Sequence, residues 1–85
     1  MKKIKEFIYN LPSRPSWTKL DDIEVEKKDS FLDIIVNDFY HIRIYPEGKE
    51  LDVACADKGG YGYQDLLFDA EIMEHRNEIL EMFNQ

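Results

Sequence analysis

The stretch "DIEVEKKDSFLDIIVNDFYHIRIYPEGKELDVACA", residues 22–56, decides the fold. Four runs within it, DIEVEKK, FLDIIV, YHIRIY and ELDVACA, are short, follow a period of two and are rich in β-branched and aromatic residues. Lys-Asp-Ser, Asn-Asp and Pro-Glu-Gly-Lys separate them, and each separator is a turn former. Connections this short join antiparallel neighbours, so the natural topology is a four-stranded antiparallel meander.

The register follows from asking which pairing gathers the apolar side chains on one face, because a slip of one residue turns every side chain over. A turn at Lys28-Asp29 pairs Val25 with Leu32 and Ile23 with Ile34. A three-residue turn over 37–39 pairs Ile34 with Ile42 and Leu32 with Ile44. A turn at Glu47-Gly48 pairs Ile44 with Leu51 and Ile42 with Val53. The expected core face then carries Ile23, Val25, Leu32, Ile34, Val36, Tyr40, Ile42, Ile44, Leu51, Val53 and Cys55.

Outward from the sheet, Ile4, Phe7, Ile8 and Leu11 recur at i, i+3, i+4 and i+7, the stripe of a short amphipathic helix over 1–11. Pro12 stops it, and the two prolines of LPSRPSW make 12–21 an extended linker that Trp17 is expected to anchor. A Gly-rich loop over 57–65 leads to a helical region over 66–84 with Leu66, Ile72, Met73, Ile79, Leu80 and Phe83 on a broad stripe. Asp69 is a candidate cap for a helix starting at Ala70, so one long helix and a broken one are both open. The expected fold class is α+β: a two-layer sandwich of order α-β-β-β-β-α, a four-stranded antiparallel meander with an N-terminal and a C-terminal helix.

At 85 residues the chain is expected to form a single domain. Cys55 is the only cysteine, which excludes an intrachain disulfide and a multi-cysteine zinc site and fits a reducing, cytoplasmic setting. The N-terminal run MKKIKEFIYNLPS lacks the apolar core of a signal peptide, and no stretch approaches the ~20 apolar residues of a membrane span.

The formal charge of −7 is unevenly placed. Residues 1–20 hold five basic and one acidic side chain, whereas residues 21–85 hold six basic and seventeen acidic ones, a balance of −11. Such a body cannot neutralise phosphates, so nucleic acid is not expected as a direct ligand.

The expected register also defines the outer sheet face. Glu24 lies opposite Asp33, Asp33 opposite Arg43 and Arg43 opposite Asp52, with Phe31 beside Tyr45 and Ile35 beside His41. The plain reading of Arg43 is a cross-strand ion pair worth ~0.2–1 kcal/mol. An acidic ladder framed by Phe31, Phe39 and Tyr45 also suits a basic protein partner, since exposed apolar patches often mark contact surfaces.

Signals for catalysis are thin. Cys55 and His41 fall on opposite faces in this register, so a Cys–His pair requires the register to slip; Cys55 reads as a small core residue. His41 beside Asp33 is the one acid–base pair of note. His75, with Glu71 one turn before it and Glu78 three residues after, lacks a third metal ligand. GGYG within DKGGYGYQD is an incomplete phosphate loop flanked by Asp57 and Asp65. That loop contributes Tyr61 and Tyr63 as candidate contact residues instead.

The expectation for function is a small acidic, non-enzymatic protein-binding module with no cofactor and no metal. It would occlude a basic, nucleic-acid-binding surface of its partner through Glu24, Asp33, Asp52, Phe31, Phe39, Tyr45, Tyr61 and Tyr63. In size and charge it looks like the inhibitors of phages and mobile elements, anti-CRISPR and antirestriction proteins among them, some of which are DNA mimics. The alternatives are a homodimeric structural or regulatory subunit and a small enzyme or ligand-binding protein using His41 and Asp33.

Overall fold

A computed structural model describes residues 2–38, 40–46, 53–56 and 62–84, with the backbone alone at Tyr40 and 53–56. Helix α1 runs over Lys2–Tyr9; strands β1 Ile23–Lys27, β2 Leu32–Val36, β3 Tyr40–Ile44 and β4 Val53–Ala56 follow; helices α2 Tyr63–Glu74 and α3 Arg76–Phe83 close the order. A single 3₁₀ turn, Leu20–Asp22, leads into β1. The general class is α+β. The regular α-β-β-β-β-α order does not hold: the described residues form three helices, and the side-chain framework of the sheet is the antiparallel β1-β2-β3 set. β4 continues the strand order beside β3 as a four-residue strand that begins at Val53 and does not match the ELDVACA strand expected.

The β2–β3 hairpin pairs Leu32 with Ile44 and Ile34 with Ile42. Its turn is held by Asn37 and Asp38, both at φ near +58°, a left-handed conformation that these residue types tolerate better than most. The β1–β2 register differs from expectation: Val25 faces Ile34 and Ile23 faces Val36. Lys28 N–H donates to the Phe31 carbonyl at 2.9 Å, which centres the turn on Asp29-Ser30 rather than Lys28-Asp29. Moving a hairpin turn by one residue shifts the pairing by two, and a shift of two keeps each side chain on its face. Ile23, Leu32, Ile34, Val36, Ile42 and Ile44 are accordingly buried together.

The β3–β4 register slips by one. Ile42 faces Ala54 and Arg43 faces Val53, so His41 faces Cys55. An odd shift reverses the face, and the placement of Val53 and Cys55 on the core face is overturned. Leu51 lies outside the described residues.

One core joins the layers: Ile4, Ile8 and Leu11 from the N-terminal segment, the six sheet residues, and Phe68, Ile72, Ile79 and Leu80 from α2 and α3. Among the described residues, no helix is long and apolar enough to cross a membrane. The 12–21 linker is fastened by polar contacts rather than by its tryptophan. Arg14 Nε donates to the Tyr9 carbonyl at 2.7 Å and its guanidinium lies 4.1 Å from the Tyr9 ring centroid. Buried Thr18 accepts from Asn37 Nδ2 at 3.2 Å. Trp17, the expected anchor, is 59% exposed.

Candidate functional site

Helix α2 starts three residues before the expected region. The Gly62 N–H donates to Asp65 Oδ2 at 3.0 Å, so Asp65 holds the helix entry from the third helical position. Asp69 therefore lies inside the helix and is not a cap. The helix ends at His75, whose N–H donates to the Glu71 carbonyl at 3.2 Å and the Ile72 carbonyl at 3.1 Å before α3 begins. The 66–84 region is thus two helices joined at one residue.

The start at Tyr63 fixes which residues of α2 face inward. Asp65, Phe68, Asp69 and Ile72 fall at i, i+3, i+4 and i+7, and Phe68 and Ile72 are fully buried. Asp69 shares that inward stripe, and burial pushes its carboxyl up to about 6. Tyr63, Leu66, Leu67 and Ala70 form the opposite stripe with the same spacing. Tyr63 is 76%, Leu66 51% and Leu67 40% exposed. A carboxylate half-buried while two leucines and a tyrosine face water is the reverse of an ordinary amphipathic helix.

The flank of α2 is fixed. Ser13 donates through its N–H (2.9 Å) and its hydroxyl to Glu71 Oε1, and Gln64 Nε2 donates to the Ser13 carbonyl at 3.2 Å. The two Ser13 bonds hold the Glu71 carboxyl below its usual range. At the far end, His75 Nδ1 lies 2.7 Å from Glu78 Oε1 and its ring stands edge-on to Phe7, with centroids 5.4 Å apart. The Glu78 contact raises the His75 pKa.

The outer sheet face is not the open apolar patch expected. Asp33 is only 4% exposed, and Phe31, Ile35, His41, Arg43 and Tyr45 are half-buried. Phe31 and Tyr45 stack with centroids 5.1 Å apart, and the Arg43 guanidinium lies 5.7 Å from the Phe31 centroid. The Arg43 Nε is buried and has no hydrogen-bond partner among the described residues. The Asp33 carboxylate lies with both oxygens 3.1 Å from His41 Nδ1. Glu24 is exposed but faces Ile35, and Asp33 faces Glu26 as well as Arg43, so the expected Glu24–Asp33–Arg43–Asp52 ladder is broken at its first step.

Of the expected contact residues among those described, Glu24 and Tyr63 are exposed, Tyr63 at 76%. Phe39, Asp52 and Tyr61 lie outside the described residues. Leu66 and Leu67 were missed, although one signal was present: Leu66 and Phe68 are two residues apart, about 200° around a helix, and cannot share a buried face. Among the described residues no cluster of three or more His, Cys, Asp or Glu is arranged to hold a metal.

Comparison with known proteins finds no match: no family model, no curated protein and no solved structure. The reading of function therefore rests on this chain alone.

Proposed function

We propose that the chain is a non-enzymatic protein-binding module whose contact surface is the outward stripe of α2, and that it occludes a basic, nucleic-acid-binding surface of its partner. The observation that carries this reading is the stripe Tyr63, Leu66 and Leu67, three large side chains displayed to solvent on a helix whose other side is already packed. Charge supports the choice of partner. The −11 balance of residues 21–85 steers the molecule toward a basic surface, and the apolar stripe then supplies the desolvated anchors that long-range charge does not. Inhibitors of the anti-CRISPR or antirestriction type act on partners of this kind.

The test is capture from a cell extract on the immobilised chain, beside a Leu66→Asp/Leu67→Asp variant, with bound proteins identified by mass spectrometry. The expected result is enrichment of nucleic-acid-binding proteins that elute with salt and are lost with the variant. A captured set without such proteins, or one indifferent to the two substitutions, overturns the reading. Sedimentation showing a concentration-dependent dimer that the same substitutions abolish would replace the partner with a second copy of the chain.

A further inference from the structure

Helix α3 packs beside α1, and the seam between them holds a groove of about 260 Å³ lined by Phe7, Glu78, Glu81 and Met82. Glu78, Glu81 and Met82 lie at i, i+3 and i+4 and so share one face of α3, with Phe7 of α1 across from them. Phe7 and Met82 are half-buried and supply apolar walls, while both carboxylates are exposed. The α1 wall is fixed: the Phe7 ring stands perpendicular to the His75 ring with centroids 5.4 Å apart, and His75 Nδ1 lies 2.7 Å from Glu78 Oε1. Among the described residues no ion pair engages Glu81.

This lining selects its occupant by exclusion. An anion meets two carboxylates, and two carboxylates beside a ring and a thioether supply too few oxygens for a hard metal cation. An apolar ligand would take water from Glu81 without a hydrogen bond in return. The volume lies below the roughly 300–1,000 Å³ of sites for drug-sized molecules, and suits a single side chain. A guanidinium uses both kinds of lining, because it stacks flat on an aromatic ring and presents paired N–H donors to a carboxylate. Arg14, with its guanidinium 4.1 Å from the Tyr9 centroid, makes the same ring contact within the chain.

We propose that the α1–α3 groove receives an arginine side chain of the protein partner, which rests on the reading that this partner presents a basic surface. The guanidinium lies against Phe7 and Met82 and donates to Glu81. Glu78, already shared with His75, adds negative charge beside it. The groove is then a second contact point, built by α1 and α3, and it supplies the preference for a cation that Tyr63, Leu66 and Leu67 on α2 cannot.

The full chain is titrated by NMR with the capped peptide Gly-Gly-Arg-Gly-Gly, and with the same peptide carrying lysine or citrulline, the uncharged near-isostere, in place of arginine. The expected result is saturable movement of the Met82 methyl and Phe7 ring signals by the arginine peptide at millimolar concentration, and none with citrulline. The lysine peptide is expected to bind about threefold more weakly, since an ammonium does not stack on the ring. Glu81→Gln is expected to weaken the arginine peptide about fivefold, the upper end of what one exposed ion pair contributes. Glu81 is exposed, so this substitution is expected to leave folding intact, which circular dichroism checks. Equal shifts with citrulline, equal affinity for lysine, shifts that miss Met82, or unchanged affinity in Glu81→Gln each overturns the proposal. The titration contains no partner protein, so its failure leaves the reading tested by capture intact, and a failed capture beside a positive titration removes the partner while the arginine-binding groove stands.

Discussion

The two sides of α2 are built from similar residues and have opposite fates. Phe68 and Ile72 are fully buried in the shared core, while Tyr63, Leu66 and Leu67, one turn or less away, face water. Asp69 belongs by position to the packed side and carries a raised pKa there, whereas Glu71 on the same helix accepts two bonds from Ser13 and is held low. The difference teaches that only part of the helix's apolar surface faces the core: Phe68 and Ile72 do, and the leucine pair does not. The two Ser13 bonds to Glu71 tie its flank to the linker in the rotation that buries Phe68 and Ile72 and leaves the leucines outside.

The comparison breaks most easily at Phe68. Phe68→Ala is expected to cost about 3–5 kcal/mol, since it removes a fully buried ring and leaves a cavity, whereas Leu66→Ala on the other side is expected to change stability by no more than about 0.5 kcal/mol. Urea unfolding of the two variants checks this, and equal losses would show that Leu66 is packed after all.

Asp69 sharpens the contrast by pH. Its folded pKa, about 6, lies above the ordinary 3.8, so the folded state holds the proton more tightly and stability falls as pH rises from about 4 to about 6. Asp69→Asn is therefore expected to raise stability at neutral pH by about 1 kcal/mol, a figure reduced from the full shift because the half-exposed carboxylate is screened by water. The gain should vanish below about pH 4, as denaturant titrations at several pH values would show.

The smallest effect is at the helix end. The His75 pKa is raised by Glu78, so the contribution of this contact is fully present below the ordinary histidine value and is lost as pH rises through the folded one. Glu78→Gln should return the His75 titration toward the ordinary value with little change in folding. An NMR titration of the ring protons measures it, and an unmoved His75 would place the cause elsewhere.

Much of the β2–β3 hairpin was legible, because alternation in FLDIIV and YHIRIY met a turn whose Asn37 and Asp38 accept positive φ. The turn after β1 was misplaced by one residue, yet the core residues of β1 and β2 stayed correct because the error was even. The step to β4 was misread by an odd amount and therefore put Cys55 on the wrong face. Apolar Val53 and Cys55 argue for a core register, and the pattern of this short strand contains nothing that opposes the choice. The split at His75 was left open, and the display of Leu66 and Leu67 was missed because a broad apolar stripe absorbs every leucine near it. Trp17 was misjudged for a related reason: aromatic bulk signals burial on average, but the linker is fastened by Arg14, Thr18 and Ser13.

The sequence alone determined the acidic balance, the helix-forming face of residues 2–11, the antiparallel order that short turns impose, and the apolar layer of the first three strands. These are properties of composition and of neighbours in the chain. Tertiary structure decided the rotation of α2, the displayed Tyr63–Leu66–Leu67 stripe, the burial of Asp33 against His41, and the register of β4 beside β3. Each depends on contacts between residues far apart in the chain, where a shift of one residue or one third of a helical turn exchanges buried for exposed while leaving local propensity unchanged.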